Sequence, residues 1–564
     1  MVSSGVKRAE IHSRQFGRIG KLFFYVCLFI LSFAYTLDAT TRNTYQTTAA
    51  SALHSHSLVS TVNVARGVVG AATRPAIARL SDIFGRGVLL ASVLVFFTVG
   101  TIVQSQATTI GKFAGGAILY QVGYTGLTTT VQVITSDFSL LNWRLLGLLV
   151  PTMPSIINTW ISGDIASAMV SKWQWGFGMW AIIVPVCSLP VFGCLIYANH
   201  KSRDEEVPIS DLKKLGLKNF LIDLFWKLDV IGNFFLAASL ALVLVPLTLA
   251  GGESSEWKQA KIIAPLVIGF VLFPVYIVWE LHAKYPITPF KMLKDRGVWS
   301  ALILAIMHKF IYYMQGGYMY TVLLVAMKQS VKAATRITKL YTFVGTITGS
   351  ILGLLVVRIR RLKGFIIFGT VTWMAAMGIL IHYRGGLGQE TGVIGALCLM
   401  GFGAGLYTHP AEASLQATTN HEHMAVITAL NMAVASVGDA FGNCVAGAIW
   451  TQMMPKELAK RMDPSLVSSA YNQPLQFIKK YTWGTPERDG MVDAYRAVEK
   501  VLTITGTCLC IPLIAGSLFI RDHYLESKIS LHEDDEDSEN EKTTEREDTP
   551  SLDKDNAATR TQNA

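Results

Sequence analysis

The sequence predicts an all-α membrane protein of about fourteen transmembrane helices: two six-helix bundles with an extra two-helix hairpin between them. Three observations carry this expectation. Of 564 residues, 51% are hydrophobic and only 16% are charged, and the mean hydropathy is +0.39. Apolar segments of about 20 residues recur along the chain, each long enough to cross a hydrocarbon core about 30 Å thick. They leave no stretch large enough for a soluble domain, and their length argues against a barrel, whose strands are about 10 residues long and alternate in polarity.

Residues 1–20 carry Lys7, Arg8, Arg14 and Arg18 and read as a cytosolic segment, with Lys21 just inside the next. The apolar run from Leu22 to Thr40 is too long for a removable signal peptide and lacks a small-residue cleavage site. It is expected to be an uncleaved first span. Five more spans, at 57–78, 88–106, 110–133, 145–168 and 179–198, complete a bundle over residues 21–198. The loop 199–228 is long and basic, with Lys201, Arg203, Lys213, Lys214, Lys218 and Lys227. After it come an extra hairpin over 229–281 and a second bundle over 282–520. The spans of that second bundle are expected at 299–326, 334–357, 365–383, 391–410, 424–450 and 501–520, with an extracellular loop at 451–500.

With an even number of spans both termini lie on one side, and Lys/Arg bias assigns that side. The N-terminal segment, loop 199–228, loop 283–297 and the run Arg358, Arg360, Arg361, Lys363 all fall together, which makes that side cytosolic. Residues 531–564 hold twelve acids against four bases, and the segment 521–564 reads as an acidic, disordered cytosolic tail. The total charge of +10 therefore leaves +18 on the rest of the chain, but in short loops rather than on one folded face, so no nucleic-acid partner is expected. All seven cysteines lie in or beside apolar segments, where they act as small hydrophobes.

Between the second and third spans the sequence reads Ala78-Arg79-Leu80-Ser81-Asp82-Ile83-Phe84-Gly85-Arg86. It resembles the cytosolic loop motif of the major facilitators, which runs Gly, any, Leu, any, Asp, Arg, any, Gly, Arg. Leu80, Asp82, Gly85 and Arg86 match, whereas Ala78 and Ile83 depart. Gly85 permits a tight turn, and Asp82 with Arg86 can form ionic contacts that change as two bundles rock. A weaker echo runs from Asp137 to Arg144 after the fourth span.

A charge inside a span costs about 2.5 to 3.5 kcal/mol on insertion scales, so it faces a cavity or a partner. Asp38, Arg42, Arg66, Asp164, Lys309, Glu412 and Asp439 are such charges. Asp38 and Arg42 are four apart and share a helix face, where they pair or snorkel near the outer mouth of the first span. Arg66 lies deeper, placed to meet an acid or the oxygens of a substrate. His308 can relay a proton or serve as a hydrogen-bonded structural residue. Tyr312, Tyr313 and Tyr320 follow it in sequence and either line a cavity or pack. Gly345, Gly349 and Gly353, like Gly438 and Gly442, have the spacing that lets helices approach closely.

Enzyme signatures are missing. No Gly-rich loop with Lys and Ser/Thr cradles phosphate, and no Cys/His group has zinc spacing. His54 with His56 and His421 with His423 are two apart and read as loop residues. The segment Val150-Pro151-Thr152-Met153-Pro154-Ser155 lacks the Gly-Pro-any-any-Gly-Gly mark of drug antiporters. No cofactor is expected.

The sequence resembles the fungal siderophore-iron transporters, the fourteen-span proton-coupled branch of the major facilitators, over most of residues 20–520. The likeness rests on Asp38-Ala39-Thr40-Thr41-Arg42-Asn43-Thr44-Tyr45-Gln46, the loop motif, Leu141-Asn142-Trp143-Arg144, Asn158 to Gly163, Gly178-Met179-Trp180-Ala181, Gly447 to Gln452 and Tyr481 to Arg488. Asp164, Gly317 and Glu412 depart from the family's habit. The resemblance implies a monomeric symporter in the plasma or an endosomal membrane. It would import a ferric siderophore, of the ferrichrome-like hydroxamate kind, with protons by alternating access. Arg66, Trp160, Tyr312, Tyr313 and Tyr320 would line the cargo cavity, and Tyr471, Phe477, Tyr481 and Trp483 of the last long outer loop would capture cargo. Asp38, Arg42, Asp164, His308, Glu412 and Asp439 would couple protons. Two other readings are a proton exchanger for glutathione or another organic anion, and a transporter-like nutrient receptor signalling through the acidic tail.

Overall fold

The computed structural model describes residues 16–53, 59–138, 143–201, 211–250, 256–288, 290, 292–384, 386, 388–418 and 424–523. The acidic tail from 524 on, the first fifteen residues, His54, His56, His421 and His423 lie outside them. Among the described residues every regular element is a helix. The first bundle comprises α1 (Arg18–Ala52), α2 (Val59–Phe84), α3 (Arg86–Ser105), α4 (Ile110–Asp137), a broken span of α5 (Arg144–Leu149) and α6 (Pro154–Met169) followed by α7 (Trp173–Gly178), and α8 (Trp180–Lys201). A linking helix α9 (Asp211–Lys227) leads to the hairpin α10 (Val230–Leu249) and α11 (Ala260–His282). The second bundle comprises α12 (Arg296–Gly316) with α13 (Met319–Val325), α14 (Val331–Ile337) with α15 (Leu340–Ile359), α16 (Lys363–Tyr383), α17 (Glu390–Ala417) and α18 (Met424–Ala459). Two short helices, α19 (Pro464–Asn472) and α20 (Pro474–Lys480), precede α21 (Pro486–Cys508) and α22 (Cys510–Phe519).

Twelve of these helical stretches are long and apolar enough to cross a membrane. α2 and α4, 26 and 28 residues long, are not among the twelve. Both carry polar side chains on the face they turn inward: Asn63, Arg66 and Arg74 on α2, and Gln121, Thr128 and Gln132 on α4. Such a face lowers mean hydropathy without exposing charge to lipid.

Local chemistry sets the breaks between helices. Thr109 caps α4 by accepting from the Lys112 amide, Asp295 caps α12 through Gly297, and Ser330 caps α14 through Ala333. Gly85 turns the chain between α2 and α3 at φ 86°, a conformation in which a side chain would be strained. The outer loop expected at 451–500 is shorter than that. α18 continues to Ala459 and α21 begins at Pro486, with α19 and α20 between them. Charged residues at those helix ends, among them Lys456, Glu457, Glu487 and Arg488, interrupt the apolar runs that mark a span in the sequence.

Each bundle has its own apolar core. In the first, Phe24, Leu28, Leu90, Phe97, Tyr120 and Val184 pack together, and in the second, Ile311, Trp373, Met400, Tyr407, Trp450 and Leu513. Lipid tails are as apolar as these side chains, so close packing rather than water exclusion holds the helices together. α3 and α4 meet at reciprocal glycines: a Cβ on Gly100 would collide with the Tyr120 backbone, and one on Gly123 with that of Phe97. As their spacing predicts, Gly349 and Gly353 let Leu149 and Leu146 of α5 rest on α15, and Gly442 admits Phe310 and Tyr313 of α12 against α18.

The hairpin is attached asymmetrically. Arg79 at the end of α2 donates to the backbone carbonyls of Lys227 (2.6 Å), Tyr285 (2.8 Å) and Pro286 (2.5 Å), and Thr61 of α2 meets Thr248 of α10 at 3.0 Å. Against the second bundle, α10 sets Leu240 and Leu244 beside Ala440 and Cys444 of α18, where the Cys444 thiol donates to the Leu244 carbonyl at 3.4 Å.

Candidate functional site

A cavity of about 460 Å³ lies between the bundles, walled by α1, α2 and α4 on one side and by α12, α13, α15 and α18 on the other. The sequence places charge there through helical spacing. Asn63, Arg66, Gly67, Gly70 and Arg74 recur at intervals of one turn along α2, so they share one stripe. Arg66 donates to Gln121 Oε1 (2.9 Å) and Gln46 Oε1 (3.1 Å). Arg74 reaches across to α18, donating to Ser436 Oγ at 2.9 Å, and to Thr129 Oγ1 of α4 at 3.3 Å. From the second bundle Lys309, Tyr312, Tyr313, Tyr320, Lys339, Tyr341 and Asp439 enter the wall. Asp439 Oδ1 accepts from Asn443 at 2.6 Å. The rings of Tyr312 and Tyr341 lie 4.8 Å apart, and Tyr313 stands edge-on to Tyr312 at 5.0 Å.

Several expected residues sit one layer back. Asp38 and Arg42 do pair, but inside the first bundle with almost no exposure rather than at its mouth. Arg42 donates to Asp38 at 2.8 and 3.0 Å, Tyr120 donates its hydroxyl to Asp38 Oδ2 at 2.8 Å, and Arg42 Nη2 reaches Thr101 at 3.2 Å. The Arg42 guanidinium lies 3.6 Å from the centroid of the Tyr120 ring, and that of cavity-lining Arg66 lies 5.7 Å from the same centroid. Snorkelling is thereby ruled out for this pair. His308 is buried, with Nδ1 2.7 Å from the Tyr407 hydroxyl and Nε2 3.1 Å from that of Tyr341, so one hydrogen bond separates it from the cavity.

Other expected residues bridge the two bundles. On the membrane face where α1 begins, Gln132 of α4 donates to Glu412 of α17 at 2.6 Å, and Gln416 faces Ser136 at 3.4 Å one turn further along. On the opposite face Thr44 meets Thr335 at 3.0 Å, and Asp164 forms ion pairs with Lys332 and Arg336 of α14 (2.7 Å to Arg336). Asp164 is thus a surface clasp, not a cavity wall. Trp160 is also displaced from the expected wall: it is 47% exposed, edge-on to Phe343 at 5.5 Å. Its neighbour Thr159 takes the inward face of α6, and Trp160 follows by about 100° of helical rotation.

The loop motif closes as expected. Arg86 donates to Asp82 at 2.9 Å and to Asp137 at 3.0 Å, and Arg144 is buried close by. Between α18 and α21 Phe477 is buried and stacks on Tyr481 at 4.5 Å, Tyr471 is half-buried against the second core, and the Arg488 guanidinium lies 4.4 Å from the centroid of the Trp483 ring. Burial raises the Tyr471 hydroxyl pKa to about 12. These four form part of a cap on the second bundle rather than an open loop.

Sequence reading did not single out Arg74, Lys339, Arg384 or Glu499. Arg74 was legible in the stripe that starts at Asn63. Arg384 and Glu499 fall at segment ends that read as loop, yet they form a fully buried ion pair at 2.6 Å between α16 and α21. Arg384 also donates to Gln315 Oε1 at 3.0 Å, and Gln315 lines the cavity.

Two bundles that meet on both faces around a polar cavity, joined by hydrogen bonds on one face and by an ion-paired cluster on the other, define a membrane transporter of the major facilitator fold. A solved peptide transporter, POT, in complex with alafosfalin has the same architecture: TM-score 0.54 at 12% identity, covering 92% of this chain and 99% of that one. The family model described as fungal trichothecene efflux pump (TRI12) matches residues 24–504. The chain belongs to the fungal siderophore iron transporter family. It is 46% identical to siderophore iron transporter 1 of Saccharomyces cerevisiae over 95% of this chain and 87% of that protein. It is 45% identical to siderophore iron transporter ARN1 of the same yeast, over 89% and 82%.

Proposed function

We propose that the chain imports a ferric siderophore, of hydroxamate type, together with protons by alternating access. The observation that carries this is the oxygen-ready, tyrosine-walled cavity in a chain whose relatives are named siderophore iron transporters. The family model's name describes efflux of another compound, but identity of 46% over nearly the whole chain favours iron. A ferric siderophore already saturates its metal with hard oxygens, so the walls need only donors and aromatic faces. Tyr312, Tyr313, Tyr320 and Arg66 supply them.

In this reading α2 and α4 also cross the bilayer, giving fourteen spans, with both termini cytosolic in a plasma or endosomal membrane. The chain works as a monomer. The two bundles take residues 21–198 and 282–520 and the hairpin 229–281. Asp439 faces the cavity, and Asp38 communicates with it through Tyr120 and Arg66, so these two acids are the first to test as proton carriers. Glu412 and Asp164, with their cross-bundle partners, act as gates on opposite faces. One proton crossing about 100 mV supplies about 2.3 kcal/mol, and each pH unit adds about 1.4 kcal/mol.

Cells lacking their own siderophore uptake and expressing this chain should accumulate radioactive iron from one or more ferric siderophores, and a protonophore should stop it. Surface-localised protein that takes up none of a broad panel would overturn the proposal. Release of a thiol against protons would then favour the exchanger reading. Alternating access has its own test. Thr44 and Thr335 replaced together by cysteine should cross-link on oxidation and stop uptake, with a reductant restoring it; unchanged transport in the cross-linked protein would contradict opening at that face.

A further inference from the structure

The cavity carries charge that its own walls do not balance. Among the described lining residues Arg66, Arg74, Lys309 and Lys339 are cationic and Asp439 alone is acidic. The arginines are held by neutral partners, Gln121 and Gln46 for Arg66, Ser436 and Thr129 for Arg74. Lys309 lies 5.9 and 6.0 Å from the centroids of the Tyr312 and Tyr313 rings, and the one acid of the wall, Asp439, attracts it as well as the two arginines. Neither lysine has a hydrogen bond or ion pair from its side chain to another described residue. The acids elsewhere in the centre are already engaged: Asp38 by Arg42 and Tyr120, Glu412 by Gln132, Glu499 by Arg384.

Cations within a span ordinarily face an opposite charge, and at a separation of several ångströms in a partly dehydrated site each unit of charge is worth a few kcal/mol. A cavity built with a surplus of three positive charges therefore favours a ligand that brings negative charge with it. From this we infer that the cargo site selects by charge. It prefers ferric chelates that are anionic, then neutral, and disfavours those carrying an ammonium group, with Lys309 and Lys339 as the specificity-determining residues. The inference rests on the siderophore reading and narrows its substrate class.

The test uses one linear ferric trihydroxamate skeleton in three forms: terminal amine free (cationic), acetylated (neutral) and succinylated (anionic). Uptake of radioactive iron by cells expressing the full chain should show the lowest apparent KM for the succinylated form and the highest for the free amine, the ends differing by about tenfold or more. Lys309→Gln with Lys339→Gln should compress that series. A flat or reversed order in the wild type, or an order untouched by the double variant, would overturn the inference. Each single Gln variant serves if the double variant does not reach the surface. A second readout separates this from the siderophore reading: the purified chain in nanodiscs, heated with an aromatic sulfonate or a size-matched aromatic ammonium. Stabilisation by the sulfonate alone, lost in the lysine variants, supports charge selection even where no chelate enters cells. Equal or greater stabilisation by the ammonium contradicts it.

Discussion

Glu499→Ala should be the most destabilising single removal of a charge in the described part of the chain. Arg384 and Glu499 are both fully shielded and 2.6 Å apart, tying α16 to α21, and Arg384 extends the link to Gln315 of α12. Deleting the acid strands a guanidinium in the bundle interior, which costs about 3–5 kcal/mol. A lower thermal midpoint in nanodiscs and a sharply reduced surface yield are the expected readouts. Asp522→Ala provides the contrast. It breaks an ion pair with Arg361 that is exposed and 3.4 Å long, and should change stability by no more than about 0.5 kcal/mol. Replacing both members of the buried pair by apolar residues of similar volume should recover much of the loss, because it is the unpaired charge that is costly. If Glu499→Ala melts with the wild type, the pair is not buried as described.

Gly67→Val should leave a folded protein that no longer transports. A Cβ at Gly67 stands 2.9 Å from the Cβ and amide nitrogen of Ala440, where α2 of one bundle crosses α18 of the other. Backbone on the far side cannot yield, so a branched side chain holds the two helices apart. Each cycle has to re-form this crossing, and uptake is expected to fall by about a hundredfold or more, equivalent to about 3 kcal/mol withheld from one state. Gly115→Ala, on α4 with nothing within 4 Å of the added carbon, should be neutral. Uptake by Gly67→Val at near wild-type rate would mean that this contact does not tighten during the cycle.

Much of the scaffold was readable because a bilayer imposes length and apolarity on each span. The runs at 88–106, 179–198, 261–281 and 365–383 became helices close to those limits. Gly85 and its ionic neighbours were readable because turn geometry and charge pairing are both local. Reading was poorer where long-range packing decides. Asp38 and Arg42 looked like mouth residues by their position along α1; only the arrival of Tyr120, Gln104 and Thr101 from α3 and α4 makes them a buried cluster. Arg384 and Glu499 find each other only after their helices are brought together, and neither segment end signals a charged partner. Trp160 shows the opposite error, since a tryptophan in a span of a transporter is as well placed against lipid as against cargo.

The hairpin's unequal attachments bear on how such a machine moves. Tied to α2 by Thr61 and, through the segments on either side of it, by Arg79, and meeting α18 with apolar side chains and one thiol-to-carbonyl contact from Cys444 to Leu244, it should travel with the first bundle and slide over the second. A rocking stroke that shears this surface should break few directional bonds, the Cys444–Leu244 contact among them.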